Sequence, residues 1–84
     1  MEIKEDLAWN EISKKVVVLE SREQRKFHEL NEVASTIWNS LNGQNTVGDI
    51  LNIVMEEYEV DSVQAKEDIE SFLNELKAKD LIND

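Results

Sequence analysis

The sequence predicts a small α+β domain: a three-stranded antiparallel sheet followed by three helices, in the order βββααα. Three observations carry that expectation. A β-branched run, Val16-Val17-Val18-Leu19, lies among polar turn residues in the first third of the chain. From Leu30 onward the apolar residues change to helical spacing, with good capping residues before each run. Finally, 84 residues without a cysteine or a proline make one domain, residues 1–84, with no disulfide framework.

Taken in order, residues 1–6 are polar and expected to fray. Leu7-Ala8-Trp9-Asn10-Glu11-Ile12 has weak strand character, with Leu7, Trp9 and Glu11 on one side and Trp9 expected as a plug beneath the sheet. Ser13-Lys14-Lys15 reads as a turn and Glu20-Ser21-Arg22-Glu23 as a hairpin loop around the strong second strand. Residues 24–29 are then the third strand, because the chain must return from the hairpin to a helix start at Asn31. The first helix has Asn31 as N-cap and Val33, Ala34, Ile37, Trp38 and Leu41 as its apolar face, and Asn42-Gly43 ends it. Thr46 caps the second, with Asp49 in its first turn and Val47, Ile50, Leu51, Val54 and Tyr58 facing inward. Asp61 or Ser62 caps the third, whose apolar positions are Ala65, Ile69, Phe72, Leu73 and Leu76. Lys77 and Lys79 complement its dipole, and Leu81-Ile82 packs back on the core.

Composition narrows the function. The formal charge is −10, with ten acids against three lysines in residues 56–84. Such a chain is repelled by phosphate backbones and by anionic lipid surfaces, so neither nucleic acid nor membrane is an expected partner. No apolar run approaches the ~18 residues of a membrane span, and the start MEIKEDLAWN lacks the layout of a signal peptide. The expected setting is cytoplasmic. With no cysteine and a single histidine, His28, no catalytic set, metal centre or cofactor site is expected. Glu56-Glu57-Glu59-Asp61 lacks the alternating ligands and central glycine of a calcium loop and reads as a solvated helix end. Asp61-Ser62-Val63 has a passing likeness to the serine motif of acyl carrier proteins, but only 22 residues follow Ser62 and strands precede it; an ordinary cap accounts for it. What remains is a protein or peptide partner, or a small ligand. The short third strand suits a sheet edge, which can accept an added strand. On the third helix, taking 100° per residue from Ile69, Asp68 and Glu75 fall at about −100° and −120°, beside Phe72 at about −60°. Asp68 thus borders whatever Phe72 packs against. His28 is a strand residue with a polar tip or a contact to a peptide, and Phe27 is core or a groove wall.

The ordered set of elements resembles a known family. Leu30-Asn31, the small residues before Ile37-Trp38, the glycine-ended turn and the Thr46-Val47 helix start are similar to the signature of PqqD-like proteins. Tyr58-Glu59-Val60, Asp68-Ile69-Glu70-Ser71-Phe72-Leu73, Leu76 and Leu81-Ile82 resemble that family's closing pattern, so the likeness spans almost the whole chain. The resemblance implies a RiPP recognition element: a winged helix-turn-helix-like domain that binds the leader segment of a ribosomally made precursor peptide and presents it to a modifying enzyme, such as a radical-SAM maturase or a leader protease. It implies that the leader adds as a strand beside the third strand and lies against the third helix. By position this points to Arg25, Lys26, Phe27, His28 and Glu29 on the strand, and to Asp68, Ile69 and Phe72 on the helix. Glu29 departs from the apolar or aromatic residue usual there. The alternative from a different class is a generic protein-interaction or regulatory subunit of the same fold, not DNA-binding.

Overall fold

A computed structural model describes residues 2–20 and 26–83. Arg25 and the predicted loop residues Ser21, Arg22 and Glu23 lie outside the described residues. The elements are β1 (Glu2–Ile3), β2 (Leu7–Ile12), β3 (Lys15–Glu20), β4 (Lys26–Glu29), α1 (Glu32–Asn39), α2 (Val47–Tyr58), α3 (Ser62–Ala78) and β5 (Ile82–Asn83). The three-strand, three-helix order is as the sequence predicts. Two very short strands add to it: β1 pairs antiparallel with β5 as a separate two-stranded sheet. The segment expected to fray is therefore held to the other end of the chain.

The main sheet has the order β2-β3-β4, antiparallel throughout, so β2 and β4 are its edges. Its inner face is set by the β3 alternation. Val16 and Val18 are fully buried, whereas Leu19 is exposed. Ser13 and Lys14, with φ of 52° and 68°, form the two-residue turn between β2 and β3, while Lys15 already pairs with Ile12. Trp9 corrects its expectation. It lies on the inner side opposite Val18, yet it is 43% exposed. It packs at the rim, its ring edge-to-face with Trp38 at 5.6 Å, and Trp38 is the residue that fills the interior.

The helices start where side chains can satisfy their free N–H groups. Asn31 accepts from Ala34 N at 2.8 Å, and Asp61 from Gln64 N at 2.8 Å. Thr46 and Asp49 form a reciprocal capping box. Helix α1 is shorter than its apolar spacing suggests: it ends at Asn39, and Gly43 takes its left-handed φ of +83° in the turn beyond. Helix α3 ends in a Schellman motif, with Leu81 N donating to Leu76 O and Asp80 N to Lys77 O while Asp80 takes a φ of 57°. That reversal sends Leu81 and Ile82 back into the core, where both are buried. One buried hydroxyl ties sheet to helices. Val16 N donates to Ser35 Oγ at 2.7 Å, Ser35 Oγ donates to Leu30 O at 3.3 Å, and Leu30 N donates to Val16 O at 2.9 Å.

Candidate functional site

The free edge of β4 and one side of α3 are the walls of a cleft of about 590 Å³. Val33, Ala34 and Ile37 of α1 form its floor. The edge exists because nothing among the described strands pairs with β4 on the side away from β3. The α3 wall exists because Phe72 and Leu76 face the core while Asp68, Ser71 and Glu75 stand beside them on the cleft side. From Asp68 to Lys79 that wall runs ~16 Å at 1.5 Å per residue, the length of about five residues of an extended strand.

Five of the residues singled out by sequence line the cleft: Phe27, His28, Glu29, Asp68 and Phe72. Phe72 is 9% exposed, so it belongs to both the core and the cleft. Asp68 is half-buried and accepts from Gln64 Nε2 at 2.9 Å. His28 points inward from β4, and its Nε2 meets Glu20 Oε2 at 3.0 Å with both side chains mostly covered. Two of the eight are elsewhere. Ile69 is fully buried at the centre of the α3 apolar stripe with Ala65 and Leu73, so it shapes the core and not the cleft surface. Lys26 is exposed at the start of β4, outside the cleft lining. Arg25 lies outside the described residues.

Sequence reasoning missed the floor. Spacing places Val33 and Ala34 on the apolar face of α1, yet both are only half-buried. The signal was the width of the α1 apolar face, whose adjacent pairs cover more arc than one neighbour can bury. It also missed Lys79, which closes one end of the cleft and pairs with Glu75 at 2.8 Å. The polar rim is therefore acidic at the Asp68 end and internally neutralised at the Lys79 end. No group of metal-ligating side chains is found among the described residues.

A three-stranded sheet with one open edge beside a helix-walled cleft has close structural counterparts. The solved structure of TbiB1 in complex with the TbiA(β) leader peptide superposes with a TM-score of 0.86 at 28% identity, covering 100% of both chains. A lasso peptide synthetase B1 complexed with the leader peptide superposes with a TM-score of 0.83 at 22% identity, over 95% of this chain and 93% of that one. The second likeness speaks for the fold alone. A comparison with curated proteins finds no match. The PqqD family, described as coenzyme PQQ synthesis protein D, matches residues 16–82, and the chain belongs to that family.

Proposed function

We propose that this protein binds the leader segment of a ribosomally made precursor peptide by strand addition at β4, and presents it to a modifying enzyme such as a radical-SAM maturase or a leader protease. It is a cytoplasmic carrier of peptide, not itself a catalyst. The observation that carries the reading is the β4 edge, unpaired among the described strands, facing α3 across a cleft about one short strand long. Main-chain N–H and C=O groups along that edge supply a ladder for any sequence, and the apolar floor supplies selectivity. Family membership supports it, as does the similarity to TbiB1, whose solved complex holds a leader peptide. Asp68 at one end of the rim favours a Lys or Arg on the leader. The residues assigned to binding are Phe27, His28 and Glu29 with Asp68 and Phe72, together with Lys26 at the start of β4 and, from the sequence alone, Arg25.

The test is a backbone one. The isotope-labelled protein is titrated with the leader of the precursor peptide encoded beside its gene. Amide shifts and slowed exchange are expected in residues 25–29 and 68–72. A response confined to the turn at residues 42–46, or to the acidic segment at residues 56–61, rejects strand addition and leaves a generic interaction domain.

A further inference from the structure

Successive side chains of β4 face opposite sides of the sheet. His28 is paired across the ladder with the fully buried Val18, so it faces inward. Phe27 therefore faces outward, away from the cleft floor, in a row with its partner Leu19 and, one strand further, Ala8. Phe27 is 75% exposed, more than any other large hydrophobic among the described residues, and Leu19 beside it is 39% exposed. Phe27 lines the cleft at the strand edge, while strand alternation turns its side chain toward the opposite surface.

A strand added beside β4 alternates in the same way. Every second residue enters the cleft, and the residues between point outward. The outward residue opposite Phe27 brings its Cβ within ~5 Å of the Phe27 Cβ, close enough to cover the ring. We propose that Phe27, backed by Leu19, is a specificity-determining contact on the outer face, selecting an apolar side chain at the one leader residue that faces outward beside it. The inference rests on the strand-addition reading above. Glu29, two residues along the same outward row, is charged and exposed, which confines the apolar preference to a single leader position. The occupant is the leader and not a second copy of this chain. Phe27 and Leu19 offer a few hundred Å² at most, well short of the ~800 Å² per partner of a stable interface, while the row continues directly into the edge where the leader lies.

The test uses a library of random displayed peptides, panned against the intact protein and against Phe27→Ser. The ring is exposed, so Phe27→Ser should melt with the wild type, and that is checked first. Peptides enriched on the wild type are expected to carry an apolar residue interleaved between their cleft-facing positions, and the preference should vanish on Phe27→Ser. For the best synthetic peptide, Phe27→Ser and the peptide's own apolar-to-serine change should each weaken binding by up to ~5-fold. The two together should cost no more than either alone. Equal profiles and equal affinities on both proteins overturn the inference and leave strand addition standing, provided the β4 amides respond to the peptide. Enrichment of no peptide, or binding that leaves β4 amides unchanged, overturns both. A dimer in sedimentation that disappears with Phe27→Ser assigns the row to self-association and overturns the inference as well.

Discussion

Single residues divide here into those that hold the fold and those that face the cleft. Trp38 and Ile50 are essentially unexposed, and nothing smaller fills their space. Trp38→Ala or Ile50→Ala should lower stability by roughly 2–5 kcal/mol, enough to unfold much of a small domain, and chemical denaturation will show it. A variant that keeps the wild-type midpoint would contradict the packing. Ser35 acts through a hydrogen bond. Ser35→Ala leaves the buried Val16 N–H without its 2.7 Å acceptor, at a cost of about 1–3 kcal/mol. At the cleft, Asp68→Asn should weaken leader binding only modestly, because exposed ion pairs contribute ~0–1 kcal/mol, and the loss should shrink as salt rises. Phe72→Ala should weaken it more, with part of the effect in the melting temperature because Phe72 is also core. Core identities such as Ile37, Trp38, Ile50 and Leu76 were legible from apolar spacing. Trp9 and Ser35 were not. Burial preference favours a hidden Trp and an exposed Ser, and only the three-dimensional position of α1 over β3 reverses both.

Among elements, the helices were the most legible because their starts are local chemistry. Asn31, Thr46 with Asp49, and Asp61 each cap within a few residues of the N–H they serve. Strands β1 and β5 were illegible. Two residues have no period, and their pairing depends on the chain ends meeting after α3 has turned back through Asp80. The edge role of β4 was readable from its poor apolar content, but which of its side chains face inward depends on register with β3. The β2–β3 turn offers a clean test at this scale. Ser13 and Lys14 both take positive φ, where two-residue hairpins favour Asn-Gly. A side chain at left-handed φ is strained, and glycine removes the strain while adding unfolded-state entropy. The relief should prevail. Lys14→Gly is therefore expected to raise stability by roughly 0.5–1 kcal/mol, seen as a higher denaturation midpoint with an unchanged slope. A loss of stability would show that the Lys14 side chain does more than occupy the turn.

At the scale of the whole molecule, charge is distributed as unevenly as structure. Residues 32–84, which hold the helices, carry twelve of the nineteen acids and three of the nine bases, whereas residues 1–31 are nearly balanced. The helical half therefore projects a negative field across the cleft toward an almost neutral sheet. Two consequences have opposite signs in salt. Self-repulsion destabilises the compact state, so raising ionic strength from low to physiological values should lift the melting temperature by about a few degrees, since ~1 kcal/mol corresponds to roughly 4–8 °C in a domain of this size. The same field should steer a leader that carries Lys or Arg into the cleft. Steering acts on encounter, whereas the main-chain ladder and the apolar floor act on residence. Stopped-flow binding across a salt series should then show an association rate that falls as salt screens the field beyond the ~8–10 Å Debye length, with a dissociation rate that hardly moves. A flat association rate with faster dissociation would place the charge effect in a direct contact at Asp68 instead of in the field of the helical half. Asp68→Asn distinguishes the two, because removing one of twelve acids changes a contact far more than it changes the field.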